Sequence, residues 1–139
     1  MEDFTMFVCF RMRAAMKKID KYLSTHLEEY GVSVPQSFVL CCLMEEDGQT
    51  LKEVGNRAQI DSSSMTVLVD KLENEGLVER RLDSQDRRAI RVFLTEKGRE
   101  LGLRVLGAGA LFNQELRKNL HDSEEQFLKG LSLVTETLE

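Results

Sequence analysis

The sequence has no tryptophan, one proline, two histidines and three cysteines in 139 residues. No apolar run reaches the length of about eighteen residues that a membrane helix needs, and no basic-then-apolar leader with a small-residue cleavage site opens it. Neither a span nor a signal peptide is expected, and the expected location is cytoplasmic. Cys9, Cys41 and Cys42 are odd in number and form no CxxC pair, which argues against a disulfide framework. His26 and His121 stand alone, with no second ligand at metal spacing, so no metal site and no cofactor are expected. Nucleophile elbows, phosphate loops and glycine fingerprints are missing too, and the chain is not expected to be an enzyme. With no internal repeat and no low-complexity tract, it reads as one domain, or one small domain with helical extensions.

Positive charge is also in short supply. The net charge is -5 and the pI about 5.2, whereas proteins that coat nucleic acid with their whole surface are basic throughout. Any DNA contact must therefore be local, and the opposite side should repel DNA.

What is present centres on residues 50–98. Thr50, Leu51, Lys52 and Glu53 spell a capping box, so a helix begins at Leu51, with Leu51, Val54 and Ala58 on one side and Gly55 leaving room for a second helix. Asp61 is the next N-cap. Met65, Leu68, Val69 and Leu72 give the second helix an apolar stripe, and Gly76 ends it. Two short helices joined by a tight turn make a helix-turn-helix, whose second helix can enter the DNA major groove. Turned away from its stripe are Ser63, Thr66, Val67 and Asp70, flanked by Ser62 and Lys71. Small hydroxyls can contact base edges and phosphates, and valine can touch a thymine methyl. Ser64 points coreward in this reading and serves capping chemistry.

Residues 77–82 and 89–95 are β-rich and joined by the polar loop Asp83, Ser84, Gln85, Asp86, Arg87 and Arg88, which predicts a hairpin, or wing. Its basic residues Arg80, Arg81, Arg87, Arg88 and Arg91 outnumber Glu79, Asp83 and Asp86, so the wing is locally positive on an acidic chain.

The run DSSSMTVLVDKLENEGLVERR, followed by D-S-Q-D-R-R and the closing FLTEKG, resembles the winged helix-turn-helix regulators of the multiple-antibiotic-resistance (MarR) family. The resemblance implies that Arg88 enters the minor groove, that Asp86 orients it and that Arg87 lies near phosphate. Val67 departs from the family pattern, since many members carry an arginine there. The fold class expected is mainly α with a small β-hairpin wing: a winged helix-turn-helix over 31–98, with dimerisation helices at 1–30 and 99–139.

The flanks agree. From Glu2 to Tyr30 apolar residues recur at helical spacing, long for a monomer of this size, and Gly31 closes the run. Pro35 suits the start of a second helix. After the wing, Thr95 and Glu96 open a helix to Asn119, in which Gly107-Ala108-Gly109-Ala110 predicts a kink or a close helix approach. Asp122 or Ser123 caps a last helix with Phe127, Leu128, Leu131, Val134 and Leu138 as its stripe. Terminal stripes of this kind pair across a twofold axis in a homodimer, and two recognition helices read a near-palindromic double-stranded operator.

Cys41 and Cys42, adjacent on a helix, read as core residues. The Cys-Phe context of Cys9 resembles the peroxide-sensing cysteine of the family's organic-hydroperoxide branch, which makes Cys9 the candidate redox residue. Arg13 stands where that branch carries a tyrosine. The resemblance also implies a small-molecule effector in the crevice between dimer helices and wing, near Met12, Met16, Phe38, Cys42 and Val105. The function expected is a dimeric DNA-binding transcriptional regulator, a repressor relieved by a small effector or thiol oxidation. Its rival is a winged-helix protein-interaction module whose wing arginines dock an acidic partner and bind no DNA.

Overall fold

A computed structural model describes residues 1–139. Six helices and three short strands follow in order: α1 (Val8–Leu27), α2 (Val34–Glu45), β1 (Gln49–Thr50), α3 (Leu51–Ala58), α4 (Ser62–Asn74), β2 (Val78–Leu82), β3 (Ile90–Leu94), α5 (Glu96–Leu120) and α6 (Glu124–Thr137). The mainly helical, winged architecture agrees with the sequence reading. No helix is long and apolar enough to cross a membrane.

The helix-turn-helix forms where its local signals lie. The Thr50 hydroxyl accepts from the Glu53 amide at 3.2 Å, and the Glu53 carboxylate accepts from the Thr50 amide at 3.1 Å. Asp61 caps α4 by accepting from the Ser64 amide at 2.9 Å. The chain turns between the two helices with Gln59 in the left-handed region at φ 60°. The helices approach closely at Gly55, where a Cβ would lie 2.9 Å from the Ile60 carbonyl and 3.0 Å from Met65 Cγ.

Several boundaries differ from expectation. Phe7 is extended, so α1 starts at Val8 behind a separate 3-10 turn, Phe4–Met6, and the first helix is 20 residues long. A second capping box, Ser33 with Gln36, begins α2 alongside Pro35. The wing hairpin pairs Val78 with Leu94 and Leu82 with Ile90, as anticipated. A third strand, β1, adds to it in the order β1-β3-β2, pairing Gln49 with Val92. Two residues are too few to show an alternating pattern, so nothing local announced this strand.

Val39, Leu40 and Leu43 of α2, Val54 of α3, Met65, Val69 and Leu72 of α4, and Val78 and Val92 of the sheet form one fully buried core. The start of α5 seats against it through Gly98, where a Cβ would fall 1.8 Å from the Leu77 carbonyl oxygen.

The chain divides into two compact units, Met1–Val105 and Leu106–Glu139, with the division inside α5. In the second unit α5 runs unbroken through Gly107-Ala108-Gly109-Ala110. Within that unit nothing lies within 4 Å of a Cβ built on Gly107 or Gly109. Neither Asp122 nor Ser123 caps α6 with its side chain. A 3-10 turn, His121–Ser123, makes the connection instead, and Arg117 Nε reaches Glu124 Oε1 at 2.7 Å. No residue of α6 is buried, and of α1 only Leu27 is.

Candidate nucleic-acid interface

On α4, Ser62, Ser63, Thr66, Val67, Asp70 and Lys71 are all exposed, as the helical wheel predicts. Val67 stands out because it is 66% exposed, while Met65, Val69 and Leu72 of the same helix are at most 1% exposed. The hydroxyls around it are already engaged. Ser63 donates to Asp61 Oδ1 at 2.7 Å, Ser64 to Asp61 Oδ2 at 3.1 Å, and Thr66 to the Ser62 carbonyl at 3.2 Å. The Ser63 hydroxyl, followed by the Ser64 amide and hydroxyl, holds the Asp61 carboxyl below the usual range. Ser64 thus serves the cap as expected, but it is exposed rather than turned to the core, because both its donors reach out to Asp61.

The positive block on the wing narrows once its partners are counted. Arg80 is held between Asp70 and Glu73 of α4, its guanidinium on both carboxylates and its amide donating to Glu73 at 2.9 Å. Arg81 pairs with Glu79 and lies over the Phe93 ring, 4.3 Å from its centroid. Arg91 donates from Nε to Asp83 at 2.8 Å and from Nη1 to the Gly48 carbonyl at 2.8 Å. That leaves Arg87 and Arg88, in the loop, as the wing arginines with no carboxylate partner. Asp86 Oδ1 accepts from the Arg88 backbone amide at 3.0 Å. Its hold on Arg88 is thus on the main chain of the turn, not on the guanidinium.

Lys52, which the sequence reading passed over, joins helix and wing. It lines a concavity of about 310 Å³ with Asn56, Ser62 and Thr66, and another of about 380 Å³ with Thr50, Arg88 and Ala89. A polar residue in the first turn after a capping box was the only available signal. The Asp83–Arg91–Gly48 clasp was also missed, since it links residues 43 apart. Asp83 Oδ1 further accepts from the Gln85 amide at 2.9 Å. That bond first, and the Arg91 guanidinium second, hold the Asp83 carboxyl below the usual range.

Of the thiols, Cys9 is exposed, Cys41 half-buried and Cys42 buried. Burial pushes the Cys41 and Cys42 thiols up, as befits inert core residues. Phe38 and Cys42 share a concavity of about 340 Å³ with Cys41, Glu45 and Arg57. Met12, Met16 and Val105 do not line that concavity.

Residues 32–90 match the model of the MarR family. The chain is similar to the HTH-type transcriptional regulator TtmR of Methylorubrum extorquens, with 38% identity over 68% of this chain, and it spans about half, 48%, of that relative's length. It is 26% identical to the organic hydroperoxide resistance transcriptional regulator of Bacillus subtilis over 94% of this chain and 88% of that one. Among solved structures, the PcaV transcriptional regulator of Streptomyces coelicolor, in complex with its natural ligand, superposes with a TM-score of 0.85 at 26% identity, covering 100% of this chain and 99% of that one. With the capped helix-turn-helix, the three-stranded wing and these likenesses in agreement, residues 32–90 form a winged helix-turn-helix domain of the MarR family.

Proposed function

We propose that this chain is a sequence-specific, DNA-binding transcriptional regulator that acts as a homodimer on a near-palindromic operator. The observation that carries the reading is the continuous surface through Lys52, with Ser62 and Thr66 of α4 on one side and Arg88 of the wing on the other. On a chain of net charge -5, unpaired cations gathered at one surface supply the local attraction that duplex DNA requires. In this reading α4 lies in the major groove with Ser62, Ser63, Thr66, Val67 and Lys71 against it. Arg88 enters the minor groove, Asp86 fixes its turn, and Arg87 and Lys52 lie along phosphates. The winged unit 31–98 binds DNA, and the helices of 1–30 and 99–139 pair the two subunits. The names of these relatives, all transcriptional regulators, support the reading.

A mobility-shift titration with the DNA upstream of the chain's own gene tests it. A shift that unrelated duplex competes poorly is expected. No shift even at low salt overturns the reading and returns the wing arginines to an acidic protein partner.

By occupying the operator the dimer represses, and oxidation or an effector releases it. Exposure of Cys9 and the likeness to a hydroperoxide-resistance regulator favour the oxidative route. Organic peroxide should release DNA from the wild type and not from Cys9→Ser. Equal release from both, or from neither, assigns Cys9 a purely structural place.

A further inference from the structure

Resting on the reading above, we infer that α4 selects A·T base pairs through thymine methyl groups, with Val67 as the specificity-determining contact, and does not read guanine.

The exposed face of α4 offers a base edge acceptors and one apolar side chain, with few donors. In the major groove a G·C pair presents two acceptors on guanine and one donor on cytosine, whereas an A·T pair presents the adenine amino donor and the thymine methyl. Guanine is read by paired donors, typically an arginine fork. The α4 face has no arginine and no asparagine or glutamine between Ser62 and Lys71. Its hydroxyl protons at Ser63 and Thr66 are spent on Asp61 and on the Ser62 carbonyl. Those two oxygens therefore turn lone pairs outward, and lone pairs suit an amino donor. The centre of the face is apolar, the 66% exposed Val67.

Charge agrees with this pattern. Asp70, one turn beyond Thr66, would repel phosphates, but Arg80 neutralises it from the strand side. Arg80 therefore acts as a positioning and charge-cancelling residue and leaves no donor of its own on the face. Lys71 and Ser62 remain as free donors at the two ends, where a helix crossing the groove meets the sugar-phosphate rims. Acceptors alone would also take the cytosine amino group, so the choice of A·T rests on the apolar centre, which meets the thymine methyl, and on the want of central donors for the guanine acceptors.

The test uses the full-length protein and duplexes selected from a randomised pool. In the selected duplexes each thymine is replaced in turn by deoxyuridine, which removes one methyl group and changes no hydrogen bond. At one position in each half-site the replacement should weaken wild-type binding about fourfold, the value of one buried methyl group. The same replacement should leave Val67→Ala unaffected. Val67→Arg should move the preference at that position from thymine to guanine. Position 67 is exposed, and an unchanged melting curve verifies that each variant is folded. Guanine at the invariant major-groove positions, or an equal deoxyuridine penalty in wild type and Val67→Ala, overturns the inference while leaving DNA binding intact. Failure to enrich any duplex overturns the DNA-binding reading, and this inference with it.

Discussion

At Asp86 and Arg88 two physical accounts give opposite signs. Removing a carboxylate beside phosphates should raise affinity by simple electrostatics, while removing the group that fixes the Arg88 backbone should lower it. The Asp86 carboxylate bonds the Arg88 amide at 3.0 Å, so it sets the turn from which the guanidinium projects. Arg88→Ala should cost roughly 1 to 3 kcal/mol of operator binding. Asp86→Ala should also lose affinity, and the double mutant should be non-additive, because a fixed turn matters only while Arg88 is present. Titrations of all four proteins at one salt concentration decide it, and tighter binding by Asp86→Ala reduces the wing to a plain phosphate clamp. Asp83 carries a pH dependence of its own. Its carboxyl is held low by the Gln85 amide and Arg91, so its contribution is present above the unfolded value of about 3.9 and is lost as pH falls through the lower folded value. The Nε–H resonance of Arg91 should be sharp and protected at neutral pH and should collapse in acid below about pH 4. In Asp83→Ala it should be unprotected throughout, and a signal indifferent to both changes would remove the clasp from the wing's architecture.

At the scale of elements, the parts written in short stretches were legible. Thr50 with Glu53, and Asp61 with Ser64, are cap pairs three residues apart, so both helices of the helix-turn-helix began where the sequence placed them. Thr50→Ala should cost about 1 kcal/mol in thermal unfolding, the usual value of such a cap. The parts that depend on distant partners were not legible. Strand β1 exists because Gln49 meets Val92, and its side chain is buried where Nε2 can donate to the Cys42 carbonyl at 3.0 Å. Three of the five wing arginines look alike in sequence to Arg87 and Arg88, yet only the folded chain brings Asp70, Glu73, Glu79 and Asp83 against them. Glycine packing is another such case: in the interior of α5 a Cβ at Gly98 would collide with the carbonyl of Leu77, which is distant in sequence. Gly98→Ala should therefore destabilise by about 3 kcal/mol, the upper part of the range for overpacking, since rigid backbone rather than a mobile side chain must give way. A melting temperature unchanged in Gly98→Ala would mean that α5 docks elsewhere.

At the scale of the whole molecule, the terminal helices are unfinished as folded in one chain. Phe4, Phe7, Val8, Phe10 and Met16 are exposed at the first helix, and Phe127, Leu128, Leu133 and Leu138 at the last. An aromatic side chain buries about 150 to 250 Å² when covered, so several of them left in water forfeit more than a small winged core can spare. Exposed apolar surface on this scale marks an interface, and in the proposed homodimer a second copy of the chain would cover it and give DNA binding its symmetry. Two α4 helices related by a twofold axis would meet half-sites about one helical turn, roughly 34 to 36 Å, apart. Sedimentation at micromolar concentration should show a dimer, with no folded monomer. Phe7→Asp together with Leu128→Asp should yield monomer, and operator binding should then fall by a factor of about 10² to 10⁴, because the second half-site no longer binds at high effective concentration. A half-site duplex separates the two causes of such a loss. If the variant is folded and still binds a single half-site as the wild type does, the deficit is bivalency. If wild type sediments as a stable monomer and still binds the full operator tightly, the terminal stripes serve some other partner, and the symmetric reading of the operator falls with them.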